Sequence, residues 1–213
     1  MSEGPAFDAA FLRDFDTLLR WRRDVRHFVD RPIAEAEMQA VLATAALAPS
    51  VGNAQPWRLV RIRSAGCRAA LAAHVDASNA RAAERYAGEA GQAYRALKLH
   101  GIREAPELLA VYCDERPRAG QGLGIATMPE MLRYSCVTAV HTLWLAARTR
   151  GLGMGWVSIL EPQAVTALLD VPDDWTLIAL LCLGYPAGPS DLPELERRGW
   201  QAREPLADRL FER

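Results

Sequence analysis

Residues 131–150 constrain the fold most strongly, because they predict a helix that is apolar on almost every side. The helix is expected to begin after Thr127, which can cap it, with Pro129 in the first turn and Glu130 reaching back to the cap. A helix with this pattern is buried, so we expect it to lie against a sheet or against a partner subunit. It therefore occupies the centre of the predicted fold.

The other predicted elements mix helices and strands without regular alternation. Helices are expected at 7–23, 34–47, 162–169 and, with breaks near Asn79 and Gly88, over 66–100; strands are expected at 57–63, 107–113, 156–160 and 175–184. This mixture favours an α+β sandwich over a doubly wound sheet. No GxGxxG follows the first strand, so a nicotinamide-type dinucleotide site is not supported. The 213 residues fit a single domain over 1–213.

Charge and cysteine usage exclude several classes of protein. The 25 basic and 26 acidic side chains give a net charge of −1, which argues against nucleic-acid binding. Residues 1–14 do not resemble a signal peptide, and no apolar run is long enough to cross a bilayer, so we expect a cytoplasmic protein without a membrane partner. The scattered cysteines and histidines predict free thiols and no metal site. His141, inside the apolar helix, is expected to be a buried core residue.

Arginines are clustered near the N-terminus. All but one of the 25 basic residues are arginines, and five of these lie within 20–31. The guanidinium groups of Arg22, Arg23 and Arg26 could bind a phosphate at the end of the first helix, since guanidinium matches phosphate geometry. The alternative is a solvated basic face in which Asp24 is an ion-pair partner. In either case we expect the neighbouring positive charge to lower the pKa of Asp24.

Two further segments could hold a planar ligand. Residues 50–57 form a polar loop whose hydroxyl, amide and backbone groups could bind the edge of a heterocycle, or could be an ordinary turn. Residues 151–160 begin with three glycines that would let the backbone approach a flat ring closely. Ser158, at the end of this segment, could bond a ring atom or could be a strand serine.

These segments together resemble the nitroreductase family of flavin proteins over residues 19–200. The shared motifs are RRxxR at 22–26, APSxxNxQPW at 48–57, the glycine-rich turn at 151–160 and LGYP at 183–186. Within that family the chain resembles the 5,6-dimethylbenzimidazole synthases. The motifs that carry this closer resemblance are RRDVRHF at 22–28, APSVG at 48–52, MPEMLRYS at 128–135 and GWVSIL at 155–160.

The resemblance implies a three-layer sandwich, with a mostly antiparallel sheet flanked by helices, in a homodimer that has its flavin sites at the interface. It implies that reduced FMN is the substrate and dioxygen the co-substrate. The ring is fragmented to 5,6-dimethylbenzimidazole, the lower ligand of cobalamin, and erythrose 4-phosphate. NAD(P)H would act only through a separate flavin reductase that supplies the reduced FMN. Two alternatives are an NAD(P)H-dependent FMN reductase, which Asn53 favours, and a flavin-binding protein without catalysis.

The resemblance also implies roles for particular residues. Asp24 would transfer a proton, and Ser158 would bond the flavin and shuttle a proton. A lid is expected over 66–100 and a C-terminal tail over 185–213. The expected flavin-binding residues are Arg22, Arg23, Val25, Arg26, Ser50, Asn53, Gln55, Met128, Leu160, Arg197 and Arg203.

Overall fold

A computed structural model describes residues 4–213. The first three residues of the predicted domain lie outside this range. The helices are α1 (Ala9–Trp21), α2 (Glu35–Ala43), α3 (Ala65–Ala83), α4 (Gly88–Arg95), α5 (Met131–Thr149), α6 (Pro162–Leu169) and α7 (Glu194–Arg197). The strands are β1 (Trp57–Arg61), β2 (Glu107–Asp114), β3 (Gly153–Val157) and β4 (Trp175–Gly184), and 3-10 turns occupy Thr44–Leu47, Val51–Asn53 and Leu206–Arg209.

The four strands form one antiparallel sheet in the order β1-β2-β4-β3. β2 and β4 lie at its centre, and both are almost continuous apolar runs, as expected for strands covered on both faces. The mixture of this sheet with helices confirms the predicted α+β class.

Side-chain alternation along β2 shows how the layers are built. Leu109 and Val111 point to one face, where they share a core with Leu143 of α5. Leu108 and Ala110 point to the other face and share a second core with residues of α3 and α6. Since successive strand residues face opposite sides, one sheet supports two cores. The predicted three-layer sandwich, with helices on both faces, is therefore confirmed.

Helix α5 lies on the sheet as expected, but one of its faces is uncovered in the single chain. Tyr134 and Val137 are 51% and 41% exposed, and His141 is exposed as well. The prediction that His141 is a core residue is therefore wrong, because it lies on the face turned away from the sheet. The predicted cap is also wrong: α5 begins after Glu130, and no side chain bonds its N-terminus.

Two other predictions need correction. β3 begins at Gly153, three residues before the predicted start, so that Ser158 and Leu160 follow the strand. α3 runs unbroken through Asn79, and its Leu71 and Val75 are buried in the core. The first part of the 66–100 segment therefore belongs to the body of the fold, and the lid remains a prediction for the part beyond α3.

The segment after β4 folds back onto its own chain. The amide of Ala187 donates to the carbonyl of His27 at 3.0 Å. Further along, the ring of Trp200 lies edge-on to Tyr86 and Tyr94, with centroid distances of 5.4 and 5.9 Å. The tail is thus fixed at one end to the arginine-rich segment and at the other to the region of α4.

Candidate active site

The arginine-rich segment runs beside β3. The amide of Val25 donates to the carbonyl of Met154 at 2.9 Å, and Asp24 pairs with Met154 as a short parallel bridge. A Cβ on Gly155 would lie 2.1 Å from the Val25 carbonyl oxygen, and one on Gly153 would lie 2.7 Å from the Val25 side chain. Val25 therefore fills the space beside Gly153 and Gly155, whereas a Cβ on Gly151 would meet nothing within 4 Å, and the approach of this segment to a planar ligand stays a prediction.

Asp24 is held at both of its carboxylate oxygens. Oδ1 accepts the amide of Trp156 at 2.8 Å, and Oδ2 accepts Nε of Arg26 at 2.8 Å. Burial raises the pKa of Asp24, and this outweighs the lowering by Arg26 and by the Trp156 amide. The prediction of a lowered pKa is wrong because the loss of water around the carboxyl costs more than the neighbouring charge gains. Asp24 is therefore a carboxyl suited to exchanging a proton.

The guanidinium groups of Arg22, Arg23 and Arg203 lie close enough for their charges to interact. Burial and the nearby charge of Arg203 lower the pKa of Arg22, and the same two causes lower the pKa of Arg23. Arg22 lies over the ring of Trp144, with its Cζ 4.8 Å from the centroid. Arg23 instead donates through Nε to the carbonyl oxygen of Asp191 at 2.8 Å, which fixes the tail. Arginines that repel one another mark a place where an anion would be stabilised.

The remaining predicted arginines differ in their contacts. Arg26, which bonds Asp24, also donates through Nη1 to the carbonyl of Lys98 at 3.1 Å, in the segment after α4. Arg197 lines the same cleft as Arg22 and Asp24. The structure therefore brings Arg197 to the predicted site, and it joins Arg26 to the end of the predicted lid.

The loop at residues 50–57 is shaped by its own hydrogen bonds. Oγ of Ser50 accepts the amide of Gln55 at 3.1 Å, and the amide of Val51 donates to Oγ of Ser135 in α5 at 3.0 Å. Asn53 and Gln55 both have positive φ angles, of 54° and 46°. The side chains of Asn53 and Gln55 are exposed.

Two clusters of predicted residues thus lie at different ends of α5. The 50–57 loop is fixed near its start at Ser135, whereas the arginine cluster contacts Trp144. Nine helical positions separate Ser135 from Trp144, or about 13 Å along the axis. Met128, 45% exposed, lies just before α5. A single chain therefore does not bring Ser50, Asn53, Gln55 and Met128 together with Asp24.

The last two predicted residues follow β3. Ser158 is exposed and lies two residues after Trp156, whose amide donates to Asp24. Leu160 is partly buried against the core on the α3 side of the sheet. Neither residue lines the cleft beside Asp24.

Sequence reasoning missed several residues of the cleft. Trp144 packs in the core, as the apolar helix predicts, but it also lines the cleft, and so do Trp21 and Arg148. The signal that could have found them is the spacing of Trp144 and Arg148, four residues apart and so on one helix face. Glu194 of the tail lines the cleft too, and the prediction for Arg197, three residues further along the same short helix, could have pointed to it.

Two structural absences concern only residues 4–213. Within that range no group of three or more histidine, cysteine or acidic side chains is placed to hold a metal ion. In the same part of the chain no helix has the length and apolar character needed to span a membrane.

Comparison with known proteins agrees with this geometry. The model of the family described as "Nitroreductase family" matches residues 19–185. A 5,6-dimethylbenzimidazole synthase of Rhodospirillum rubrum is 55% identical, covering 96% of this chain and 97% of the relative. One of Rhodobacter capsulatus is 51% identical, covering 88% of this chain and 91% of the relative.

Solved structures share the fold. Iodotyrosine deiodinase, in a crystal structure bound to FMN and 3-iodo-L-tyrosine, aligns with a TM-score of 0.70 at 25% identity, covering 82% of this chain and 91% of the other. A nitroreductase-like protein of Streptococcus mutans aligns with a TM-score of 0.71 at 17% identity, covering 94% and 98%.

The chain belongs to the nitroreductase family of flavin enzymes. Within that family, its curated relatives at 47–55% identity over most of the chain are named 5,6-dimethylbenzimidazole synthase. The resemblance to the nitroreductase family and the closer resemblance to the 5,6-dimethylbenzimidazole synthases, both drawn from the motifs, are thus confirmed.

Proposed function

We propose that this enzyme converts reduced FMN and dioxygen to 5,6-dimethylbenzimidazole and erythrose 4-phosphate, and that the remaining four carbons and two nitrogens, the pyrimidine part of the flavin ring, leave as a third product. The observation that carries the proposal is Asp24, a carboxyl of raised pKa held among converging guanidinium groups. Relatives at 47–55% identity named for this product support the same conclusion. The role belongs to the synthesis of the lower ligand of cobalamin.

The arginine cluster fits the phosphate of FMN. The nearby charge of Arg203, together with burial, lowers the pKa of both Arg22 and Arg23. A phosphate between them would remove this repulsion and accept several hydrogen bonds. Arg197, on the same cleft, would complete the site. Bound reduced FMN would supply both the electrons for dioxygen and the carbon skeleton of the product.

Asp24 is proposed to move the proton. Its two oxygens are fixed by the Trp156 amide and by Arg26, so that the carboxyl presents one orientation to the cleft. Burial raises its pKa towards the range in which a carboxyl both accepts and donates a proton. Val25, whose backbone is bound to β3, would hold the segment in place against the flavin.

The other predicted residues are proposed to act from the partner subunit. Ser50, Asn53, Gln55 and Met128 lie away from the Asp24 cleft in one chain, so a second chain would have to supply them. The exposed apolar residues of α1, which has no buried residue, and of α5 offer the surface for this homodimer. Ser158 and Leu160 are proposed to contact the ring from the end of β3.

Mixed dimers test this arrangement. Asp24→Asn removes the proton-transfer group, and Gln55→Gly removes one amide while keeping a residue that tolerates the positive φ. If each site takes Asp24 from one chain and Gln55 from the other, co-refolding the two variants yields heterodimers with one intact site. We expect about a quarter of the wild-type activity from the statistical mixture. No recovery above the separate variants would contradict a shared site.

The lid and the tail are proposed to exclude water during the oxygen reaction. The segment beyond α3 contacts the arginine cluster through the bond from Arg26 to Lys98, and it contacts the tail through Trp200. Excluding water favours fragmentation over loss of the reactive species to solvent. A separate flavin reductase is proposed to supply the reduced FMN. A cytoplasmic location remains a prediction.

The arginine site is tested by ligands that differ only in the phosphate. Arg22→Gln should weaken FMN binding at least tenfold, because a charge-assisted bond to the phosphate is lost, and should leave riboflavin binding within twofold. Flavin fluorescence quenching measures both. Equal losses for the two ligands would show that Arg22 does not bind the phosphate.

The alternative function is an NAD(P)H-dependent FMN reductase. Asn53, more typical of general nitroreductases, is the feature that favours it. The two functions differ in the fate of the flavin, which a synthase consumes and a reductase recovers. Steady oxidation of NADH with full recovery of FMN would favour the reductase.

A further inference from the structure

Trp144 connects α5 to the arginine segment by two separate contacts. The guanidinium of Arg22 lies over its ring, with Cζ 4.8 Å from the centroid. Its indole Nε1–H donates to the carbonyl oxygen of Arg23 at 3.3 Å. The side chain is 9% exposed and packs in the core with Leu143 and Ala147. Trp144, held in the core, thus contacts both Arg22 and Arg23.

Such a contact matters because Arg22 is otherwise under repulsion. Arg203 and Arg23 carry like charge close by, and the attraction of Asp24 offsets this repulsion only in part, so that a long guanidinium side chain would turn towards solvent. An indole face attracts a guanidinium electrostatically and leaves its edge donors free to bond a ligand. The bond to the Arg23 carbonyl fixes the main chain one residue before Asp24.

We infer that Trp144 is a positioning residue for phosphate recognition: it holds Arg22 on its ring before the flavin binds. The inference rests on the proposed function, since it takes Arg22 to bind the phosphate. Preorganising the cluster lowers the cost of ordering it at binding. Trp144 acts through Arg22 and does not itself contact the reacting atoms.

The test compares FMN with riboflavin in Trp144 variants. Trp144→Leu removes both contacts, whereas Trp144→Phe keeps an aromatic face and removes only the hydrogen bond. Binding of oxidised FMN and of riboflavin is measured by quenching of flavin fluorescence, with folding checked by circular dichroism. Trp175→Leu is the matched control, because Trp175 also lies near an arginine, with Arg58 Cζ 6.0 Å from its ring centroid, but outside the cleft.

We expect Trp144→Leu to weaken FMN binding by about 5- to 30-fold, the range for a partly buried cation–π contact, and riboflavin binding by less than twofold. Trp144→Phe should show a smaller loss, about two- to threefold, again for FMN alone. Trp175→Leu should change neither. If Trp144→Leu does not fold, the FMN-specific loss in Trp144→Phe decides the matter.

Equal losses for FMN and riboflavin, or no loss for FMN, would overturn the inference. The Arg22→Gln result separates this failure from that of the proposed function. If Arg22→Gln discriminates between the two flavins while neither Trp144 variant does, the phosphate site stands and only the role of Trp144 is wrong. If Arg22→Gln does not discriminate, both are wrong.

Discussion

Replacing Asp24 by asparagine removes the ionisable group and keeps almost the same shape. The amide oxygen can still accept the Trp156 amide, as Oδ1 does at 2.8 Å. The amide nitrogen, however, would face Nε of Arg26, where Oδ2 now accepts a bond at 2.8 Å. Two donors then oppose each other, so one charge-assisted hydrogen bond is lost.

The effects on stability and on chemistry should differ. Losing a hydrogen bond to a charged group costs about 1.5–3 kcal/mol in unfolding free energy. The variant gains by no longer ionising a carboxyl whose pKa is raised by burial. These contributions oppose each other, so we expect a small net change in stability. Loss of a general acid or base should instead lower product formation about 10²- to 10⁴-fold, or about 3–5 kcal/mol of activation free energy.

The sign of the pH dependence follows from the raised pKa. A carboxyl that holds its proton more tightly in the folded protein stabilises the fold at acid pH, and this stabilisation is lost as the pH rises from about 4 through the folded pKa. Asparagine does not titrate. The unfolding free energy of Asp24→Asn relative to wild type should therefore increase from pH 3 to pH 7.

Three measurements check the reasoning on Asp24. Urea denaturation across pH gives the stability difference, flavin fluorescence gives FMN binding, and chromatography gives the yield of 5,6-dimethylbenzimidazole. We expect FMN binding within threefold of wild type, because the arginines remain. A product yield equal to wild type would remove Asp24 from the mechanism, and a relative stability that falls with rising pH would refute the raised pKa.

Three further variants test how the fold positions the site. Gly155→Ala places a methyl group 2.1 Å from the Val25 carbonyl oxygen, so we expect the bridge to β3 to break, with a loss of product exceeding tenfold; unchanged activity would contradict that contact. Leu143→Ala, at a fully buried position between α5 and the sheet, should lower the unfolding free energy in urea by about 2–5 kcal/mol, and a change below 1 kcal/mol would argue against this core. Trp200→Leu removes the edge-on contact with Tyr94 and should speed hydrogen exchange in α4 while global stability changes by only about 1 kcal/mol; unchanged exchange would show that the tail does not hold α4.

The sequence predicted the bounds of those helices and strands that are defined by residues within the element itself. β4 and α6 begin and end at the predicted residues, because an uninterrupted apolar run and a proline at the first helical position define them. β3 was placed three residues too late because its glycines suggest a turn. They lie in a strand because Val25 packs directly on Gly153 and Gly155, and no local pattern shows that contact.

The site was predicted in its residue types but not in its geometry. Arg22, Asp24 and Arg26 of the RRxxR segment line one cleft, and their roles there stay predictions. The direction of the Asp24 pKa shift was wrong, because burial depends on the tail and on β3, which are distant in sequence. The burial of Trp144 in the core follows from the apolar helix, but its contact with Arg22 does not, because only the fold brings Arg22 onto its ring.

The central claim is that the enzyme consumes FMN. The direct measurement is to mix the protein with chemically reduced FMN in air and to quantify FMN and 5,6-dimethylbenzimidazole by chromatography, with Asp24→Asn as the control. We predict that the wild type converts FMN to 5,6-dimethylbenzimidazole in equal molar amounts and that the variant returns the FMN unchanged. Quantitative recovery of FMN from the wild type, with or without oxidation of added NADH, would contradict the account.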